Sequence, residues 1–367
     1  MTILRTAHRW LGLILALPML VQAATGLLMV VSVPLNALRA PTVSSPTEPL
    51  KPLNAIIGAA RDAAPPGLVP SRYEAGAQPH DAVSVDLGLP GQRLPQARLY
   101  VDPGSLMILQ QQAHPDRVYR WLHSVHETLL LPGPLGRSII GWCGVGLIVL
   151  AVTGVPIWWP RHGRWRTALT VPLRAQGYRL HRGLHGAVGG WVVALLLLQA
   201  VSGVSMAFPQ TAAALLGVAQ SRFPSASREG RSDVDVAQME AAALRAVPQS
   251  RLVSLRFPIE PGRPVMAALR PEGSAIDGPP TLVLLDPSTQ RVLGVRGAGT
   301  GSAGARVLAW LRTLHEGAGL GPLWRLAVGL TGLALLIFSV TGIAMWLLRR
   351  SAGRRRKAGV YLQGAGE

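Results

Sequence analysis

Four runs of apolar residues, each long enough to cross a bilayer as a helix, punctuate this chain. They cover residues 6–33, 135–159, 184–208 and 322–348 and read as transmembrane helices. Between them, polar and turn-forming residues take over. Residues 34–117 and 209–304 read as folded segments outside the bilayer, and residues 118–134 and 305–321 as helices at its interface. Residues 160–183 read as a basic connection, residues 349–367 as a basic tail. In the first folded segment Leu53–Ala63 has helical apolar spacing, while Val83–Leu87, Arg98–Asp102 and Leu106–Gln110 read as strands. Asp102-Pro103-Gly104-Ser105 supplies the turn between the last two. The second segment repeats the plan with a helix at Val236–Ala246 and strands at Arg251–Phe257, Val265–Leu269, Leu282–Leu285 and Arg291–Leu293. Its turn is Asp286-Pro287-Ser288-Thr289. The expected fold is a mainly α-helical membrane protein with four transmembrane helices and two small α+β domains.

The parallel extends into the spans. His8 aligns with His185, Gly12 with Gly189, Gln22-Ala23-Ala24-Thr25-Gly26 with Gln199-Ala200-Val201-Ser202-Gly203, and Met29 with Met206. Trp121-Leu122-His123-Ser124-Val125-His126-Glu127 aligns with Trp310-Leu311-Arg312-Thr313-Leu314-His315-Glu316, and Thr153-Gly154-Val155 with Thr341-Gly342-Ile343. The chain is therefore expected to be two tandem repeats. Each repeat keeps a histidine beside each of its two spans: His8 and His126, then His185 and His315.

The formal net charge of +18 suggests nucleic acid until its distribution is considered. All but one of the 18 acidic residues fall between Glu48 and Glu127 or between Glu229 and Glu316. The three remaining stretches are basic, carrying Arg5 and Arg9, then Arg161 to Arg182, then Arg349 to Lys357. The positive-inside rule puts these three in the cytoplasm, with both termini, and both folded segments outside. Contact with anionic lipid, not nucleic acid, follows. Cys143 is the one cysteine and lies within a span, so neither a disulfide framework nor a thiolate cluster is available. A redox centre here would have to use histidine.

These residues carry a family resemblance. The helix, strand and V-D-P-G-S or L-D-P-S-T hairpin resemble PepSY domains. The His8-Arg9-Trp10-Leu11-Gly12 opening, the W-L-x-x-x-H-E segment and the T-G-[VI]-x-x-W helix ends resemble the PepSY-associated transmembrane family. Within that family the likeness is to ferric-siderophore reductases of the bacterial inner membrane. It implies two PepSY-like periplasmic domains, an unidentified cytoplasmic electron donor and a ferric siderophore as acceptor.

Both repeats run through the membrane in the same direction, so an axis along the membrane normal should relate them. Such an axis brings His8 towards His185 at the inner surface and His126 towards His315 at the outer one. Iron between two neutral imidazoles in an apolar four-helix bundle describes a b-type haem, and two such haems would form a one-electron path. The chain has no C-x-x-C-H motif, so attachment would be non-covalent. Zinc or copper fits less well because each pair lacks further carboxylate or thiolate ligands on the inner side. His181 stands one turn before His185 and is its alternative as ligand, as His123 is for His126. His123 and Arg312 also suit haem propionates or an anionic substrate. His80, His114 and His162 read as solvated loop residues. Gln22 and Gln199, with Thr25 and Ser202, read as helix-to-helix hydrogen bonding. The competing expectation is a haem-free membrane protein whose PepSY-like domains bind peptides or regulate a partner.

Overall fold

The structure, a computed structural model, describes residues 1–43, 49–76, 78, 81–92, 94–160, 163–218, 225–226, 235–258, 260, 262–275, 277–297 and 301–364. His80, His162 and Arg161 lie outside the described residues. In chain order the first half holds α1 (Thr2–Arg39), α2 (Leu53–Asp62), β1 (Val69–Glu74), β2 (Val83–Gly88), β3 (Ala97–Val101), β4 (Ile108–Ala113), α3 (Arg117–Thr128) and α4 (Pro134–Trp158). A short helix α5 (Trp165–Leu169) leads to α6 (Gly177–Ala207) and α7 (Pro209–Leu215). Then come α8 (Val236–Ala246), β5 (Ser250–Arg256), β6 (Val265–Pro271), β7 (Thr281–Leu285), β8 (Val292–Gly297), α9 (Ala303–His315) and α10 (Pro322–Gly364).

Helices α1, α4, α6 and α10 are long and apolar enough to cross a membrane, and a helix satisfies its own backbone polar groups in lipid. Helix α1 packs against α4 and α10, and α6 packs against the same two, so the four stand in the cyclic order α1–α4–α6–α10. Leu15, Met19, Cys143, Leu147, Leu196 and Ala200 fill the space between them. The helices overrun the apolar runs that signal them. Helix α1 continues through Pro34 to Arg39, and α6 starts at Gly177, inside the stretch read as a connection. Polar helix ends need no apolar face once they leave the bilayer.

The two folded segments are not separate domains, which corrects the sequence expectation. Strands β1 and β5 pair antiparallel, with Tyr73 opposite Leu255, and all eight strands form one sheet in the order β4-β3-β2-β1-β5-β6-β7-β8. Each four-stranded half alone would expose an edge of unpaired backbone groups, and joining the two edges satisfies both. Strand β1, Val69-Pro70-Ser71-Arg72-Tyr73-Glu74, escapes sequence reading because Tyr73 is its one side chain in the core cluster. Helices α2 and α8 cover one face of the sheet, and Ile57, Val85, Leu87, Leu99, Met239, Leu255, Leu269 and Val283 form a continuous core beneath them.

The two hairpin turns are built alike. The Asp102 carboxylate accepts from the N–H groups of Gly104 and Ser105 at 2.8 and 3.3 Å. The Asp286 carboxylate accepts from Ser288 and Thr289 at 2.9 and 3.0 Å. Leu106 closes its turn with φ at 64°, so β4 starts at Ile108 and not at Leu106.

The opposite face of the sheet is charged where it meets the interface helices. Across it the register sets Gln112, Arg98, Asp86, Arg72 and Arg256 in one row. Arg98 pairs with Asp86 at 2.7 Å and with Asp116, the residue ahead of α3, also at 2.7 Å. The sheet thus grips the start of α3. At its far end, the chain turns through Leu129, Leu130 and Gly133, all with positive φ, into Pro134 at the start of α4. A Cβ on Gly136 would lie 2.0 Å from the Thr128 carbonyl oxygen, so α3 and α4 meet here at backbone contact.

The Asp86 side chain is 8% exposed and that of Arg98 12%. Arg98→Met strands a buried carboxylate and is expected to lower stability by about 3 kcal/mol. Denaturant unfolding of the full chain in detergent checks this, and Arg98→Met combined with Asp86→Leu should recover most of the loss.

Candidate functional site

The four duplicated histidines gather in two layers. His126 on α3 and His315 on α9 stand on the sheet side of the bundle, their ring centroids 6.3 Å apart with planes tilted by 55°. His8 on α1 and His185 on α6 lie towards the opposite end, beside Thr153 of α4 and Thr341 of α10. Residues 8 and 25 of α1, like residues 185 and 202 of α6, are separated by a helical rise of about 25 Å. That separation is comparable to the roughly 30 Å thickness of a hydrocarbon core.

Every one of these rings meets a hydroxyl at Nδ1. His8 meets Thr153 of α4 at 2.9 Å, and His185 meets Thr341 of α10 at 2.9 Å. His126 meets Thr25 of α1 at 3.0 Å, and His315 meets Ser202 of α6 at 2.9 Å. Each hydroxyl already donates its own proton to a carbonyl of its helix: Thr25 to Val21 and Thr153 to Val149 at 2.7 Å, Thr341 to Ile337 at 2.6 Å, and Ser202 to Gln199 at 3.0 Å. With that proton given to its own helix, the hydroxyl oxygen is left to accept, the arrangement in which the imidazole donates from Nδ1. Nε2 is left with its lone pair. The Gln199 carbonyl, 3.1 Å from Nδ1 of His315, demands the same tautomer because it has no proton to give.

Burial acts in the same direction on the sheet side. It holds the His126 ring down to a pKa of about 4, with His315 and His123 adding to the effect and the Gln22 carbonyl opposing it. His315 is likewise lowered by burial, against the Gln199 carbonyl and Glu316. Both rings are neutral near pH 7, the state in which imidazole binds a metal.

These features fit the iron porphyrin that the paired histidines suggest. The separation of the outer rings is close to what two metal–nitrogen bonds of about 2 Å each would hold. Gln22, 8% exposed on α1, has a buried Nε2 with no hydrogen-bond partner among the described residues, whereas Gln199 donates to the Leu314 carbonyl at 3.4 Å. Among the described residues no three His, Cys, Asp or Glu side chains converge, so a zinc-type cage does not form there. His126 and His315 would hold one group, and His8 and His185 the other.

The remaining candidates are engaged elsewhere. His123 stacks on Tyr119 with centroids 6.3 Å apart and lies 3.7 Å from Glu127, half-exposed. Arg312 pairs with Glu316 at 3.0 Å and is largely exposed. Both point their polar ends along the helix surface. His181 finds no hydrogen-bond partner among the described residues, in contrast to His185 with Thr341. His114 is exposed in the turn before α3.

Thr25 and Ser202, read from the sequence as helix-to-helix hydrogen bonding, do bond to other helices, and their partners are the histidine rings of the interface helices. Thr153 and Thr341 were visible only as parts of a repeated motif. The overlooked signal is that a hydroxyl residue followed by glycine recurs at matching positions of the spans: Thr25-Gly26, Thr153-Gly154, Ser202-Gly203 and Thr341-Gly342, with Thr331-Gly332 a further pair in α10. At three of the four, the glycine leaves room for the ring beside it. A Cβ would lie 3.0 Å from His126 Cε1 at Gly26, 3.1 Å from His315 Cε1 at Gly203 and 3.4 Å from His8 Cε1 at Gly154.

Four apolar helices carrying a separate antiparallel sheet, with histidines on and beside the spans, define a membrane protein of α-helical type. The PepSY-associated TM region family matches residues 5–349, and the chain belongs to that family. No curated protein matches the chain.

Gly26→Val and Gly203→Val are expected to push His126 and His315 off their hydroxyl partners, whereas Gly342→Val meets open space within 4 Å and should leave every ring in place. Side-chain ¹⁵N NMR of histidine-labelled protein in detergent reads this directly. An unmoved His126 resonance in Gly26→Val would contradict the contact.

Proposed function

We propose that this protein is a di-haem b-type oxidoreductase of the bacterial inner membrane, carrying electrons from a cytoplasmic donor to a periplasmic ferric siderophore. The observation that carries the haem assignment is a shared contact: Nδ1 of all four duplicated histidines meets a hydroxyl that has its own carbonyl acceptor, the arrangement that leaves Nε2 for a metal. A structural interfacial histidine has no need of such uniformity. In this reading the chain is two tandem copies of one unit, related by an axis along the bundle, and each copy supplies one ligand to each layer. The basic segments lie in the cytoplasm with both termini, and the sheet stands in the periplasm as the joined pair of PepSY-like domains.

When bound, two haems b would supply one-electron transfer between the layers. The protein's own residues do the rest. His8 and His185 would hold the inner group, His126 and His315 the outer one, and the apolar packing of Leu15, Met19, Leu147 and Leu196 keeps water from the path between. Glu127 is held by Arg137 and Glu316 by Arg312 at the sheet-side surface. Arg312 and, on the sheet above, Arg72 and Arg256 offer positive charge, and His123 a ring N–H, where an anionic chelate would arrive. Siderophore oxygens are hard ligands, so one electron added to their Fe(III) yields Fe(II), which they bind more weakly. No side chain has to act as acid or base. The siderophore and the inner membrane enter through the family resemblance, the haems through the geometry.

Purified protein should show reducible visible haem bands, with two haems per chain. His126→Ala and His185→Ala should each remove about one, while His123→Ala and His181→Ala should keep both. A wild-type protein made with ample haem yet colourless would overturn the proposal in favour of a haem-free, peptide-binding or regulatory membrane protein.

A further inference from the structure

Resting on the haem reading above, we infer that Thr153 and Thr341 are positioning residues on which the inner histidine pair alone depends. The two layers look alike but are held differently. In the outer layer Nδ1 of His315 faces both the Ser202 hydroxyl at 2.9 Å and the Gln199 carbonyl at 3.1 Å. His126 has the Thr25 hydroxyl at 3.0 Å, with the Gln22 carbonyl dipole acting on the ring in the same sense. A backbone carbonyl is fixed in place and can only accept, so the outer rings keep Nδ1–H even without their hydroxyls.

The inner layer has no such carbonyl. Among the described residues, His8 meets Thr153 alone at Nδ1, and His185 meets Thr341 alone. These hydroxyls act as acceptors only because Val149 and Ile337 take their protons, at 2.7 and 2.6 Å. Rotation of either hydroxyl to donate would stabilise the opposite tautomer, in which Nε2 carries the proton and cannot bind a metal. Phe338 lies 5.0 Å from the His185 ring, with no polar atom to offer instead.

An acceptor at Nδ1–H raises the basicity of a metal-bound imidazole and orients the ring; its removal typically costs roughly 10- to 100-fold in metal affinity. A more basic ligand favours Fe(III), so losing the acceptor raises the potential of the iron it holds. The inner centre is therefore tuned by two exchangeable side chains and the outer centre chiefly by backbone. Evolution can shift the inner potential to suit a donor without disturbing the outer one.

The test compares the double variants Thr153→Val/Thr341→Val and Thr25→Val/Ser202→Ala in full-length protein. Haem content and spectroelectrochemical midpoint potentials are read for each, the two centres being identified by the spectra of His185→Ala and His126→Ala. The first variant should weaken haem retention at the inner centre by roughly 10- to 100-fold and raise its potential, and Thr153→Ser/Thr341→Ser should restore both. The second should retain both haems with a smaller shift confined to the outer centre. The untouched centre in each variant reports whether the protein has folded. Equal effects of the two variants, or an inner centre indifferent to the first, would overturn this inference while leaving the haem reading intact; absence of haem from wild type would remove both.

Discussion

The hydrogen bond from an imidazole Nδ1 to a hydroxyl on a neighbouring helix is the interaction on which the bundle depends. Within hydrocarbon no water can satisfy a ring N–H, and a buried polar group left without a partner is costly. The chain meets that demand four times with the same solution, and each bond links two different helices: α1 to α4, α6 to α10, α3 to α1 and α9 to α6. Helix packing and ring tautomer are thereby set together. The glycine after the hydroxyl residue lets the ring approach closely enough, most visibly at Gly26 and Gly203.

Above this, the sheet acts as a single roof. Because β1 and β5 pair, the two interface helices hang from one body instead of two that could shift against each other. The sheet order reads the same from either end, yet its attachments differ. Asp86 faces Arg98 between β2 and β3, and Arg98 reaches on to Asp116 at the start of α3. The comparable pair between β6 and β7 is Ala268 with Leu282, which has no charge to offer, and α9 begins instead with the Ser302 hydroxyl capping Ala305. His126 and His315 are thus brought together by one charged tether, one capped helix and two hydroxyls.

The proposed haem centres inherit their difference from the same source. Gln22 and Gln199 sit one turn before Thr25 and Ser202, so their carbonyls reach the outer rings as well. No backbone carbonyl is placed to do this for His8 and His185. Two histidine pairs that match in sequence therefore differ in what holds their rings.

Much of this was legible from residue order. Apolar runs of sufficient length require spanning helices, the aligned motifs single out His8, His126, His185 and His315, and the Asp-Pro turns mark the hairpins, because each of these signals is local or repeats along the chain. The offset itself varies, 177 residues from His8 to His185 and 189 from His126 to His315. What the sequence left open is long-range. Strand β1 has too little apolar alternation to announce itself, and its pairing with β5 joins residues far apart in the chain. The partners of the histidine rings are likewise remote, Thr153 for His8 and Thr341 for His185, and a threonine in a span looks the same whether it bonds its own helix, a neighbour or a ring. Residue identities alone singled out four imidazoles as one duplicated set. Only the tertiary structure decided what each ring meets, since Nδ1 of every one faces a hydroxyl carried by another helix, remote in the chain.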